Sequence, residues 1–257
     1  MFYNDIYKIH EVYDEIMTTV RAYLKNYSPH SLYHFQRADK TNDIMKRQLQ
    51  TALALLLIVT IAAAETLHVG NFSNGELSAW QEKQFNRQTH YTLQQDDERI
   101  VLTAISSNAA SGLFKNISVD LNKTPILHWS WKINHTLASQ NEREKSGDDF
   151  SARVYIVFSD GPFFWQTKTL SYVWANQSPV GAHWPNPYTD SAHMFAIQSG
   201  GQHIKQWRYE SRNVKHDIQT VFGKNIAHIE AIAIMTDTDQ TGAATQAWYG
   251  DMWFSDQ

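Results

Sequence analysis

The sequence contains no cysteine. This absence excludes disulfide bonds, thiolate metal ligands and cysteine nucleophiles. It does not indicate a compartment, because a cysteine-free chain suits both a reducing cytosol and an oxidising periplasm. The chain needs no such cross-links, since a domain over residues 65–257 would bury roughly 70% of its unfolded surface.

An excess of positive charge is also missing. The chain has 22 Lys and Arg side chains against 26 Asp and Glu. Beyond residue 64 the balance is 15 basic to 20 acidic residues, without a basic cluster. Because nucleic-acid phosphates require a positive protein surface, the sequence predicts no nucleic-acid partner.

Common catalytic motifs are absent as well. The chain has no G-x-S-x-G, P-loop, G-x-G-x-x-G or H-E-x-x-H segment. The histidines of the second half lack the spacing of a helical zinc site; they include His183, His193, His203 and His216. Zinc hydrolysis is therefore not expected.

Only one long hydrophobic run is present, at Thr51–Ile61. It follows the basic segment Met45–Gln48 and precedes three alanines that end at Ala64, which together are typical of a secretory signal peptide. With the alanines, the apolar stretch has 14 residues, fewer than the roughly 20 that span a bilayer. We expect a signal peptide at residues 45–64, no stable membrane span after its cleavage, and a periplasmic or secreted mature protein.

The predicted signal peptide lies behind 44 other residues. Translation could start at Met45, which would make residues 1–44 an upstream extension foreign to the protein, disordered or helical. Alternatively, apolar residues at near-helical spacing between Ile6 and Tyr23 belong to a cytoplasmic tail before a signal anchor. We favour the first interpretation.

From Glu65 onward, short β-branched and aromatic runs alternate with turn residues, and all nine tryptophans lie in this part. One helical segment is predicted at Lys215–Phe222, ended by Gly223. Eleven strands are predicted, near Thr66–Phe72, His90–Gln94, Arg99–Ile105, Leu113–Leu121, Ile126–Ile133, Ala152–Ser159, Thr167–Trp174, His193–Gln198, Trp207–Val214, Ile226–Thr236 and Ala247–Ser255. So many strands with little helix indicate an all-β sandwich or barrel.

The strand patterns favour two packed sheets. Leu127, Trp129, Trp131 and Ile133 alternate with polar residues, so they should share a core-facing side. The runs at residues 153–158 and 229–235 are nearly continuous in apolar character, which is typical of central strands covered on both faces. Such strands pack as two facing sheets.

Six segments in order resemble the bacterial family known as domain of unknown function 3047. They are PILHWSWKIN (Pro125–Asn134), GDDFSARVYIVF (Gly147–Phe158), LSYVWAN (Leu170–Asn176), WRYESRNVKHDIQTVFG (Trp207–Gly223), IAIMTDTDQTG (Ile232–Gly242) and YGDMWFS (Tyr249–Ser255). The resemblance covers nearly all of residues 65–257. It implies an exported bacterial protein and assigns no catalytic residue.

A looser resemblance concerns the fold. Asn71–Gly75 followed by Trp80, and the closing segment Gly250–Phe254, look like the opening and the end of galactose-binding-like jelly rolls. This similarity implies a jelly-roll-like β-sandwich.

Asp237 and Asp239 follow a predicted buried strand, in a turn that continues with Gln240, Thr241 and Gly242. Two carboxylates at this spacing could converge on a hard cation such as calcium. The alternative is an Asp-rich turn whose side chains accept hydrogen bonds from their own backbone. Calcium is thus the one cofactor that the sequence suggests.

Asp148 and Asp149 precede the strand that begins at Arg153. Adjacent strand residues point to opposite faces, so only one carboxylate, which we assign to Asp149, could reach a shared ligand site. A salt bridge of either carboxylate with Arg153 or Arg212 is the alternative.

A second group of candidate ligand residues is Trp207, Glu210, Arg212 and Asn213. Glu210 and Arg212 should share one face of their strand, where the arginine fork beside a carboxylate could bind a polar ligand. A structural ion pair is the alternative.

The Pro-rich loop at residues 175–189 contains Trp184 and Tyr188. Aromatic rings exposed on a loop could bind sugar rings, whereas tryptophan is more often well buried.

These features lead us to expect a non-enzymatic module that binds a carbohydrate or a cell-envelope glycan. One alternative is a glycan-active hydrolase or lyase that uses Asp149, Glu210 or Asp237 as acid or base. Another is an envelope scaffold that binds protein partners. The sequence does not determine the oligomeric state.

Overall fold

The computed structural model describes residues 65–138, 141–161, 163 and 166–256. The predicted signal peptide, the preceding extension and the cleavage position after Ala64 lie outside the described residues. None of the helices in the described part has the length and hydrophobicity that a membrane span requires.

Fourteen strands and one α-helix make up the described fold, with 3-10 turns at Phe72–Asn74 and Lys145–Gly147. The helix is α1 (Val214–Phe222). The strands are β1 (Thr66–Gly70), β2 (Gln81–Asn86), β3 (His90–Asp96), β4 (Arg99–Ser107), β5 (Ala110–Asp120), β6 (Ile126–Ile133), β7 (Arg153–Ser159), β8 (Thr167–Ala175), β9 (His183–Asn186), β10 (Thr189–Ser199), β11 (Arg208–Asn213), β12 (His228–Asp237), β13 (Ala244–Tyr249) and β14 (Met252–Ser255).

The strands form two seven-stranded sheets. The first sheet has the order β1-β14-β6-β13-β4-β3, and β11 also pairs with β6. The second sheet has the order β2-β5-β12-β7-β8-β10-β9. Its pairs are antiparallel except for β8 and β10, which run parallel. The prediction of a jelly-roll-like β-sandwich is confirmed.

The core lies between the two sheets and is rich in aromatic rings. Trp129 of β6 stacks on Tyr172 of β8, with ring centroids 5.3 Å apart. Trp131 of β6 approaches Trp174 of β8 at 6.0 Å. All four predicted core residues of β6 are buried, as the alternation of that strand indicated. Burial of this apolar area is the main stabilising contribution to the fold.

The helix has a defined start and end. The side chain of Asn213 accepts a hydrogen bond from the backbone N–H of His216 at 2.9 Å, which is the geometry of an N-cap. Gly223 ends the helix in the left-handed conformation, with φ of 67°, and its N–H donates to Gln219 O at 3.0 Å. The predicted helix and its glycine cap are therefore confirmed.

Asn213→Ala is expected to lower the free energy of unfolding by about 1 kcal/mol, because the N–H of His216 loses its acceptor. Thermal unfolding measures the loss. Asn213→Asp keeps an acceptor at the cap and is expected to unfold close to the wild-type temperature. An equal loss in both variants would contradict a capping role.

Candidate functional site

A cleft of about 450 Å³ lies on the face of the second sheet that points away from the core. Side-chain alternation creates it. In β7, Val154 and Ile156 point into the core, whereas Arg153 and Tyr155 line the cleft. The residues opposite Arg153 and Tyr155 on β12 are Met235 and Ala233. Central strands of the sheet thus provide the floor of the cleft.

Aromatic side chains form much of the cleft lining. Phe85 of β2 and Tyr188 of the loop between β9 and β10 are 55% and 51% exposed. Phe114 lies beside Phe85, with ring centroids 6.3 Å apart. The hydroxyl of Tyr188 donates to Lys145 O at 3.1 Å, which restrains its ring in the cleft lining. The cleft therefore offers exposed apolar ring faces.

A cluster of charged groups in the cleft surrounds Arg153. Its Nε donates to Asp237 Oδ1 at 2.8 Å, and its Nη2 donates to Asp237 Oδ2. Its Nη1 donates to Asp148 Oδ1 at 3.3 Å. Because the Arg153 side chain is only 4% exposed, the guanidinium is held as a buried fork between two carboxylates.

The negative charge around Arg153 exceeds the positive charge. Burial raises the pKa of Asp237 to about 8, with Arg153 acting against it and the carboxylates of Asp149 and Asp148 adding to it. Burial also raises the pKa of the Asp148 carboxyl, although Arg153 and the amide of Asn186 lower it in part. Both carboxyl groups are therefore harder to ionise than an ordinary aspartate.

The expected metal residues Asp237 and Asp239 lie beside Asp149, and one oxygen of each lies within 4.8 Å of the others. Carboxylate oxygens of this group already accept hydrogen bonds from the protein. Both Asp237 oxygens accept from Arg153, and the Asp149 oxygens accept from the N–H groups of Gln240 at 3.3 Å and Thr241 at 2.6 Å. These carboxylates therefore already have partners without a cation, and Asp149 caps the backbone of the turn at residues 240–241.

Asp149 is a correction to the ligand set. Its side chain is fully buried under the turn at residues 240–241, whereas Asp148 lines the cleft. As predicted, only one of the two carboxylates reaches the site, but it is Asp148 and not Asp149. The alternative salt bridge also exists, between Asp148 and Arg153.

Trp184 is a second correction. It is only 4% exposed and packs with Phe150, Val173 and Met194 in a small apolar cluster. Because β9 pairs with β10, Trp184 lies opposite Met194, and its ring packs against the sheet. Of the two aromatic residues that we expected to be exposed, only Tyr188 is available to a ligand.

The second predicted ligand group lies outside the cleft. None of its four members, Trp207, Glu210, Arg212 and Asn213, lines it. Glu210 and Arg212 do share a face of β11, but Glu210 accepts from Trp131 Nε1 at 3.0 Å and Gln198 Nε2 at 2.8 Å. Burial raises the pKa of the Glu210 carboxyl.

The other members of this group also have structural partners. Arg212 forms its fork with Asp217 of α1, through hydrogen bonds of 2.8 Å and 2.5 Å. Trp207 Nε1 donates to Asp96 at 2.8 Å, and the Arg99 guanidinium lies 3.9 Å from its ring. Asn213 caps the helix. These contacts support the alternative of a structural ion pair, with Asp217 as the partner of Arg212.

Phe85, Phe114 and Tyr155 line the cleft but were not predicted from the sequence as site residues. A weak signal existed, because Arg153 and Tyr155 alternate with the apolar residues of a strand that otherwise belongs to the core. Phe85 lies in a polar segment that was not predicted as a strand.

A smaller cavity of about 160 Å³ lies on the first sheet. Arg99, Ser130, Tyr209 and Asp251 contribute to its lining. Arg99 Nη2 is buried and has no hydrogen-bond partner among the described residues. The cavity is less than half the size of the cleft.

The solved structures that the chain resembles include a cellulase, an endoglucanase and a carbohydrate binding module. A cellulase derived from Cel12A of Rhodothermus marinus is 11% identical, with a TM-score of 0.42, and covers 74% of this chain and 99% of its own. Endoglucanase 3 of Trichoderma harzianum is 8% identical, with a TM-score of 0.37 and coverages of 76% and 97%. A mutant carbohydrate binding module of family 29 is 10% identical, with a TM-score of 0.35 and coverages of 76% and 93%.

No curated protein matches the sequence. The model of one family, described as a protein of unknown function (DUF3047), matches residues 78–253. Because this match spans more than half of the chain, the protein belongs to that family.

Proposed function

We propose that the protein is an exported, non-enzymatic module that binds a carbohydrate or cell-envelope glycan in the cleft of the second sheet. The observation that carries this proposal is the combination of exposed aromatic rings with hydrogen-bonding groups in one cavity of about 450 Å³. A volume of this size lies within the usual range for small-molecule sites.

The two kinds of lining match the two kinds of surface on a sugar. Phe85 and Tyr188 present flat apolar faces, against which the C–H faces of a sugar ring can pack. Asn186, Asp239 and Gln240 provide amide and carboxylate groups in the same cleft for sugar hydroxyls. Asp239 is partly exposed and is therefore accessible to a ligand.

The charge of the cleft favours a neutral glycan over an acidic one. Asp148, Asp237 and Asp239 line it together with a single arginine, Arg153, whose guanidinium is already shared by two carboxylates. A uronic acid would bring another negative charge close to this cluster and would be repelled.

Export is part of the proposal and rests on the signal-like segment at residues 45–64. A periplasmic or secreted location would bring the cleft into contact with envelope or environmental glycans. Processing can be measured directly by N-terminal sequencing of the protein recovered outside the cytoplasm.

The test is thermal unfolding of the purified protein with neutral, acidic and amino-sugar oligosaccharides, each with calcium or with EDTA. A ligand at 100 times its dissociation constant should add about 2.7 kcal/mol to the free energy of unfolding. For a domain of this size that corresponds to about 5–11 °C. We expect this shift with a neutral glycan, equally in calcium and in EDTA.

Tyr188→Ala is expected to weaken the glycan at least about tenfold, equivalent to 1.4 kcal/mol, because it removes an exposed ring face. Tyr209→Ala is the matched control, since Tyr209 is 70% exposed on the first sheet. No shift with any glycan, or an equal loss in both variants, would contradict binding in the cleft. A rise in the unfolding temperature that occurs only with calcium would instead support the predicted metal site at Asp237 and Asp239.

A second candidate is a glycan-active hydrolase or lyase, favoured by the raised pKa of Asp237, about 8, beside Asp148 in the cleft. A carboxyl group that keeps its proton at neutral pH can serve as a general acid. Incubation with the glycan that binds, followed by analysis for shorter or unsaturated products, tests this activity. Turnover that Asp237→Asn abolishes while glycan binding persists would replace the non-enzymatic proposal.

A further inference from the structure

Two histidines meet at the edge of the second sheet, away from the cleft. His183 lies on the edge strand β9, and His193 lies on its partner β10. His183 is opposite Phe195, and His193 is two positions before Phe195 on the same face. Nδ1 of His183 and Nε2 of His193 are 3.2 Å apart.

This spacing suits a shared metal ion as well as a hydrogen bond. Two imidazole nitrogens on one tetrahedral zinc, each at 2.0–2.1 Å, lie about 3.3 Å from each other. The hydrogen bond needs a proton on one of the two nitrogens, and a metal ion would take the place of that proton with a modest tilt of each ring. Neutral imidazole is a preferred ligand of zinc, nickel and copper.

We propose that His183 and His193 form a surface binding site for a divalent transition-metal ion, held by Nδ1 of His183 and Nε2 of His193. Water or a group from a partner completes the coordination, because His183 is exposed to solvent. The proposal is independent of the glycan cleft, since neither histidine lines it.

The surroundings hold both rings in place before the metal arrives. The ring of His183 stacks on Phe195, with centroids 5.9 Å apart. The ring of His193 meets the Phe222 ring edge-on at 5.7 Å. Strand pairing fixes the two backbones. Little side-chain freedom is therefore lost on binding, which favours affinity for a site with two protein ligands.

Calorimetric titration of the full chain without an affinity tag measures binding of Cu²⁺, Ni²⁺, Zn²⁺ and Ca²⁺. We expect copper to bind most tightly, nickel and zinc more weakly, and calcium not at this site, because imidazole sites follow that order. His183→Ala and His193→Ala should each weaken the site at least tenfold. His216→Ala, at an exposed position on α1, should leave it unchanged.

His183→Gln separates metal binding from the hydrogen bond, because glutamine can still hydrogen-bond His193 but is a poor ligand for these metals. We expect it to unfold at the wild-type temperature without metal and to lose the metal response. Metal affinity unchanged in both alanine variants, or no binding of copper, nickel or zinc at millimolar concentration, would overturn the proposal. The glycan response of these variants is expected to stay normal, so the two proposals fail separately.

Discussion

Arg153→Met is expected to lower the free energy of unfolding by about 3–5 kcal/mol, because it leaves Asp237 and Asp148 buried without their cation. Arg153 is 4% exposed, and its partners Asp237 and Asp148 are 3% and 7% exposed, so all three groups are largely shielded from water in the native protein. For a domain of this size, the loss corresponds to a fall of about 6–20 °C in the unfolding temperature.

The pH dependence of the Arg153 variant distinguishes charge from packing. Without Arg153, the pKa values of Asp237 and Asp148 rise further above that of an ordinary aspartate, since the arginine lowers both in the native protein. The folded variant then binds more protons than the unfolded chain above about pH 4, so its stability falls as the pH rises. Its deficit relative to wild type should be smaller at pH 5 than at pH 8.

A surface ion pair provides the control for Arg153. Lys224 lies 3.0 Å from Asp160 and is 49% exposed, so Lys224→Met should cost less than about 1 kcal/mol. Adding Asp237→Asn to Arg153→Met should recover part of the loss at neutral pH, because asparagine does not titrate and folding then no longer requires proton uptake at this position. A deficit that does not vary with pH would show that lost packing, and not buried charge, is responsible.

Trp131→Ala is expected to cost about 3–5 kcal/mol, the usual range for removing a large aromatic side chain from a core. Trp131 is completely buried, with its ring 5.4 Å from that of Trp129 and 6.0 Å from that of Trp174. The substitution also removes the donor that Glu210 accepts from at 3.0 Å. Urea denaturation measures the loss.

Two control variants are expected to lower the free energy of unfolding less than Trp131→Ala does. Trp131→Phe keeps most of the apolar volume and should cost clearly less. Trp253→Ala removes a partly exposed ring that stacks on His128 at 5.1 Å and should also cost less, because little of the core depends on it. Equal losses in Trp131→Ala and Trp253→Ala would contradict the central role of Trp131.

The sequence prediction missed β2 and β9, which are the two edge strands of the second sheet. β2 is exposed along its whole length and is rich in polar residues, so neither hydrophobicity nor alternation marks it. It is held in place through pairing with β5. β9 contains Pro185, which is tolerated because the strand lies at the edge of its sheet. The last predicted strand is two strands, β13 and β14, separated by Gly250 and Asp251.

The candidate site was predicted only in part. Asp237, Asp239 and Tyr188 do lie around one cleft, and the salt bridge of Asp148 with Arg153 was among the alternatives. Trp184 was predicted to be exposed on a loop but is buried. It lies on the short edge strand β9, which was not recognised in the sequence, and its ring packs in a small apolar cluster. The arginine fork on β11 was expected, but its partner Asp217 lies on the following helix.

Local chemistry in the sequence alone determined the secondary-structure class, the aromatic face of β6, the helix with its glycine cap, and the family. These features depend on the periodicity of apolar side chains and on turn residues a few positions apart. Such patterns can be recognised directly in the sequence. The tertiary structure alone decided the cleft and the histidine pair. The cleft arises where strands distant in sequence become neighbours in a sheet, and strand order is set by packing of the whole fold. The histidine pair lies on two consecutive strands, β9 and β10, and depends on the register of their pairing.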